Sequence, residues 1–189
     1  MKHFKLGLLA AIIALLGGHA FAADLNAPKL PSKPAMEAAI ADVWGGCYVE
    51  AGVSAKASTD AAGSARSQGA VAGLGCNTRV APGSNFVGGV FARFGLDVHS
   101  VVNGTADPSL NRDALLAGRF GYLIAPLTLT YGVLGYDIGR DAGRNGIVGG
   151  VGLEVKPHEK YSLGAEYLQG YRDNGSRDQS VVLSVKRAF

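Results

Sequence analysis

From Asn85 to Val98 the side chains alternate in character with a period of two. Phe86, Gly88, Val90, Ala92, Phe94, Leu96 and Val98 share one face, while Arg93 and Asp97 stand on the other. Successive Cβ atoms of an extended chain point to opposite sides, so this is a strand pattern and not a helical one. A strand this long and this apolar on one face has to cover that face, either with a second layer of protein or with hydrocarbon.

The pattern recurs. Eight runs are separated by clusters of Gly, Pro, Asn, Asp and Ser: 44–55, 67–78, 85–98, 113–124, 127–136, 146–155, 161–169 and 179–189. The first two are rich in glycine and alanine and weak individually. The fourth sets Leu116, Phe120, Tyr122 and Ile124 against Arg119. The fifth is apolar on both faces, which leaves its orientation open. The sixth sets Ile147, Val151, Leu153 and Val155 against Glu154, and the seventh sets Tyr161, Leu163, Ala165 and Tyr167 against Glu166. The last sets Val181, Leu183, Val185 and Phe189 against Ser184 and Lys186. Arg187 interrupts that outward face two residues from the chain end, where a long side chain can reach headgroups.

These features predict an all-β fold, a closed antiparallel up-and-down transmembrane β-barrel of about eight strands. About 9 to 11 residues suffice for a tilted strand to cross a bilayer, and an open sheet in lipid would leave backbone amides unpaired. The connections alternate in length. Long polar ones are expected at 56–66, 99–112, 137–145 and 170–178, and short ones at 79–84, 125–126 and 156–160, as in barrels with loops at one end and turns at the other. Arg93, Asp97, Arg119, Glu154, Glu166 and Lys186 then project inward among small residues such as Gly95, Ala117, Gly152 and Gly164. Three are basic and three acidic, so the expectation is a balanced interior charge network. The alternative is that several of them sit in water at the barrel ends. A soluble lipocalin-like barrel is the rival fold, but its outer face would need many more charges than these six.

Ahead of the barrel, Lys2, His3 and Lys5 precede an uncharged run from Leu6 to Leu16 and a small-residue ending at Ala20-Phe21-Ala22. That order predicts a cleaved secretory signal over residues 1–22, since eleven apolar residues are well short of the roughly 20 that a spanning helix needs. Pro28, Pro31 and Pro34 mark residues 23–43 as a Pro/Ala-rich linker, expected on the periplasmic side, and residues 44–189 form the barrel domain. Loss of Lys2 and Lys5 lowers the basic count from 18 to 16 against 15 acids, a balance that gives no support to a nucleic-acid partner. Export also places Cys47 and Cys76 where disulfides persist. A first hairpin centred near residue 61 or 62 would set them opposite each other on the face of Val49 and Leu74. A disulfide and two reduced, packed thiols both fit that placement.

The residues from Trp44 to Phe189 resemble the small outer-membrane barrels of the OmpA N-terminal domain, opacity-protein and alphaproteobacterial outer-membrane antigen type. The resemblance rests on Trp44-Gly-Gly-Cys-Tyr-Val at the first strand, on Leu163-Gly-Ala-Glu-Tyr167 in the penultimate strand, and on the terminal Phe189. Cys47, where an aromatic is usual, and Lys186-Arg187-Ala188, where a Tyr is usual, depart from the family pattern. The resemblance implies localisation in the bacterial outer membrane, and it implies that Phe189 is a C-terminal signal read by the barrel-insertion machinery.

Chemistry is not expected. Of the four histidines, His3 and His19 leave with the signal, while His99 and His158 fall at opposite ends, so neither a metal site nor a cofactor is expected. His99-Ser100 is a loop pair without a third triad member, and Gly149-Gly150-Val151-Gly152 lacks the Lys-Ser/Thr of a phosphate loop. The expected function is a structural, monomeric envelope protein that contacts outer-membrane lipid with its sides and extracellular ligands or host surfaces with its loops. The alternatives are a narrow pore for small solutes, although eight strands enclose a space that side chains fill, a soluble lipocalin-like ligand-binding barrel, and a lipid-A-modifying barrel enzyme.

Overall fold

A computed structural model describes residues 43–60, 63–102, 105–107, 112–139 and 145–189. The expected signal peptide and the linker up to residue 42 lie outside the described residues. Nine strands follow one another: β1 (Gly46–Asp60), β2 (Gly63–Arg79), β3 (Phe86–Val102), β4 (Thr105–Asp107), β5 (Arg112–Ala125), β6 (Thr128–Gly139), β7 (Gly146–His158), β8 (Tyr161–Arg172) and β9 (Arg177–Ala188). Each long strand pairs antiparallel with its sequence neighbours, β1 pairs with β9, and three-residue β4 adds only to the end of β3. The result is a closed eight-stranded barrel in which each of the eight long strands is paired on both sides.

Register fixes the strand tilt. Paired residues lead from Cys47 through Cys76, Val90, Gly118, Leu134, Gly149, Gln169 and Gln179 back to Ala57 on β1. One circuit of the barrel therefore returns to β1 ten residues further along, and a stagger of this kind is what forces strands to tilt when a sheet closes.

Two short connections show why the chain reverses where it does. In Ala81-Pro82-Gly83-Ser84 the Ser84 amide donates to the Ala81 carbonyl at 3.0 Å, and Gly83 has φ +74°. Proline at the second position and a glycine of positive φ at the third define a type II turn. Between β8 and β9 the Gly175 amide donates to the Arg172 carbonyl, the Arg172 amide donates to Ser176, and Gly175 has φ +81°, as in a three-residue hairpin loop closed by a left-handed glycine.

The strands at the end opposite the termini run further than the alternation of apolar residues. The expected loops at 56–66 and 170–178 are mostly ladder: β1 and β2 stay paired out to Asp60 and Gly63, and β8 and β9 out to Tyr171 and Arg177. The end of β3, including His99 and Ser100, is also strand instead of the expected loop. Sequence reading stops a strand where apolar residues stop, whereas backbone pairing continues into water as long as the partner strand continues. At the other extreme, β1 begins at Gly46, and Trp44 lies before it.

The hydrophobic side points outward. Val53, Phe94, Leu116, Leu134, Val151 and Leu183 are all more than half exposed, and β6 resolves its ambiguous pattern with Leu134, Tyr136 and Ile138 outward and Leu129, Tyr131 and Val133 inward. Among the described residues no helix is long and apolar enough to cross a membrane.

Candidate functional site: the barrel interior, its two ends and its outer face

The base of the barrel, where both described termini lie, is stoppered by its own chain. Trp44 is fully buried, its Nε1 donates to the Pro126 carbonyl at 3.0 Å, and the Lys156 ammonium lies over its ring at 5.0 Å. Lys156 also donates to the Val43 carbonyl, so a β7 side chain clamps the segment from both sides.

Above this plug five of the six expected interior charges meet. Arg93 donates to both carboxylate oxygens of Glu50 and, from Nη1, to Glu166 at 2.6 Å. Arg119 donates to Glu154 at 2.7 Å and to the Asn77 side chain at 2.8 Å. Lys186 donates to Glu154 at 2.8 Å and lies 3.8 Å and 3.9 Å from Glu166 and Glu50. Tyr131 and Ser162 complete the carboxylates, donating to Glu166 at 2.7 Å and to Glu154 at 2.6 Å. Arg119 Nη2 has no hydrogen-bond partner, but the guanidinium is flanked by the rings of Tyr48 and Tyr131, 4.9 Å and 5.1 Å away. A cation between two aromatic faces recovers part of what it lost on leaving water.

Glu50 is the member that sequence reasoning missed. The run from Trp44 to Ala55 reads as weak because it is rich in glycine and alanine. Its inward face, Tyr48, Glu50, Gly52 and Ser54, has the same period of two, and that was the available signal. With Glu50 included and Asp97 elsewhere, the network holds Arg93, Arg119 and Lys186 against Glu50, Glu154 and Glu166, which is still balanced.

Asp97 belongs to a second cluster. It follows Arg93 by two inward positions, roughly 13 Å along the strand, and lies 3.5 Å from Lys56, which is also paired with Asp113. On the far wall Arg172 bridges Asp137, at 2.8 Å, and Asp178. These six groups ring the upper mouth, with four acids and two bases. Val71, Leu115, Val148, Leu168 and Val182 line the wall between ring and network, where a cavity of only about 50 Å³ remains.

Cys47 and Cys76 are joined by a disulfide across the β1–β2 pair, with Cα atoms 3.9 Å apart. The Cys47 carbonyl accepts from the Phe189 amide on the other flank, so its pairing with Cys76 is of the non-hydrogen-bonded type, in which side chains approach most closely. Both cysteines face outward, as do Val49 and Leu74. Phe189 follows the last strand residue and is 81% exposed. Among the described residues no group of three His, Cys, Asp or Glu side chains could hold a metal ion.

No protein-family model matches the chain, and no curated protein matches it either. Solved structures do. Ail, the attachment invasion locus protein of Yersinia pestis, solved with the heparin analogue sucrose octasulfate, superposes with a TM-score of 0.55 at 13% identity, over 77% of this chain and 99% of that one. Ail solved without that molecule gives a TM-score of 0.54 at 15% identity, with the same coverage. At such identity the likeness establishes the fold. The chain has the fold of the small bacterial outer-membrane β-barrels.

Proposed function

We propose that this chain, folded as a small bacterial outer-membrane β-barrel, is an exported, non-catalytic, monomeric envelope protein held in the outer membrane by its sides. Its upper rim then meets ligands or host surfaces outside the cell. The observation that carries the reading is the inversion of sides. Apolar residues more than half exposed cover the outer wall, whereas Glu50, Arg93, Arg119, Glu154, Glu166 and Lys186 are at most 5% exposed. In water that distribution would be strongly unfavourable, but in hydrocarbon it is the favourable one. Aromatic residues flank the outer wall near the base, where Phe86 stacks on Phe120 and edges onto Tyr122, and elsewhere around the base Tyr161 opens β8 and Phe189 follows β9.

On this reading residues 1–22 are removed on export, residues 23–43 remain in the periplasm, and Phe189 is the residue read by the insertion machinery. The stoppered base and filled interior argue against a pore, because any solute would have to displace both Trp44 and the ion network. That a protein of the same fold was solved with a heparin analogue supports extracellular contact with anionic ligands as one use of the rim.

The test is migration of the mature chain on an unboiled gel, together with fractionation of cells that express it. Faster migration without boiling and recovery with the outer membrane are expected. An unshifted band from a soluble fraction would overturn the reading in favour of a lipocalin-like barrel.

A further inference from the structure

The outer wall has one place where charge and shape combine. Ala57 on β1 faces outward directly opposite Arg66 of β2, and on its other flank it faces Gln179 of β9, with Arg177 opposite Thr59. All of these residues are exposed and on the outward parity of their strands. Two strand spacings across the sheet and two residues along it separate Arg66 from Arg177, which puts the two arginine backbones roughly 12 Å apart on either side of β1. Ala57 and Thr59, the outward residues of β1 level with them, are short and leave the space between them open. Arg177 is steadied over the Tyr171 ring at 5.6 Å, and among the described residues no acidic side chain faces outward at this level of β1, β2 or β9.

Further down the outer wall, beyond Ala55 and away from β2, runs an apolar groove of about 480 Å³ lined by Ala51, Val53, Leu163, Ala165, Leu183 and Val185 of β1, β8 and β9. The upper wall elsewhere carries protruding side chains such as Phe94, Leu116 and Leu134. The seam thus offers a cationic pair at the rim of the apolar band and a hydrocarbon-lined slot below it.

We propose that this seam is a binding site for one phosphorylated lipid of the outer leaflet. The phosphate sits between Arg66 and Arg177, with Gln179 alongside, and an acyl chain runs down over Ala55 and Val53 into the groove. Arginine suits the task because its planar, permanently charged fork donates two hydrogen bonds to one phosphate. A soluble sulfated or phosphorylated glycan would satisfy the arginines but leave the groove unused, and so the lipid is the better fit. The proposal rests on the membrane reading given above.

The mature chain, refolded in zwitterionic detergent, is incubated with diphosphorylated lipid A or with its dephosphorylated form, and the lipid retained per barrel is read by native mass spectrometry. One diphosphorylated lipid per barrel is expected. Retention falls about twenty-five-fold for the Arg66→Gln/Arg177→Gln variant, at about fivefold per arginine, and by a similar factor for the dephosphorylated lipid. Arg112→Gln removes an outward arginine far around the wall and leaves retention unchanged. Equal retention by the wild type and the double variant overturns the site. Arginine-dependent binding of heparin without arginine-dependent retention of lipid A overturns it in favour of a glycan. The gel shift of the unboiled protein, run on each sample, separates these outcomes from failure of the barrel reading itself.

Discussion

The guanidinium of Arg93 on β3 meets the carboxylate of Glu166 on β8 at 2.6 Å, and these strands lie four places apart in a ring of eight. One ion pair therefore spans the full width of the barrel and ties opposite walls together. Both groups are buried, and Arg93 also holds Glu50.

Removal of this arginine leaves two carboxylates without their main counter-charge in a site that water does not reach. Arg93→Met is expected to lower the stability of the folded barrel by about 3–5 kcal/mol, the cost of breaking a buried pair from one side. Urea titration of the variant in lipid vesicles measures it. A loss below about 1 kcal/mol would mean that the network contributes little.

Two glycines of β7 respond differently to an added methyl group. A Cβ at Gly152 would lie 2.5–2.8 Å from the ring and hydroxyl of Tyr131, the donor to Glu166, whereas one at Gly149 meets only the Val133 carbonyl at 3.9 Å. Gly152→Ala is expected to cost about 1–3 kcal/mol by overpacking, and Gly149→Ala to change stability by no more than about 0.5 kcal/mol. Thermal melting of both variants, side by side, decides the matter.

The disulfide gives a mass signature. Intact mass spectrometry of the refolded mature chain should find Cys47 and Cys76 oxidised and closed to maleimide until a reductant is added. Replacing both with serine should leave the barrel able to form while lowering its stability by about 2–4 kcal/mol. Rapid maleimide labelling of the untreated protein would contradict the pairing.

Trp44 is the only tryptophan of the chain, so fluorescence reports on the base directly. Its emission should be blue-shifted and poorly quenched by aqueous acrylamide. Lys156→Met should shift it, because that side chain holds both the ring and the Val43 carbonyl. Free quenching in the wild-type barrel would show that the base is open.

Backbone pairing of β1 with β2 out to Asp60 and Gly63 predicts slow amide exchange where the sequence reads as a polar loop. Hydrogen exchange over residues 56–60 and 63–66 should resemble that of the mid-barrel strands more than that of a loop. Exchange within seconds would limit the ladder to the apolar band.

The barrel was legible because its constraint is local. Period-two alternation, as at Phe86, Val90 and Phe94 against Arg93, assigns each residue a face without reference to the rest of the molecule. Eight such runs with an outward apolar face require closure in lipid. The same alternation placed Arg93, Arg119, Glu154, Glu166 and Lys186 inside, and the position of the first hairpin set Cys47 opposite Cys76.

What alternation cannot supply is height. Which inward residues meet depends on the ten-residue stagger around the closed sheet, a property of the pairing of all eight strands together. That stagger brings Glu50 to Arg93 and Arg172 to Asp137, and it leaves Asp97 with Lys56 one layer above the network. It also sets Arg66 and Arg177 on either side of β1, opposite Ala57 and Thr59, although 110 intervening residues separate them in the chain. The sequence by itself determined which side of the wall each residue faces, because that depends only on parity along a strand. The partners on each side were decided by closure, because distance across a barrel depends on a register that no single strand contains.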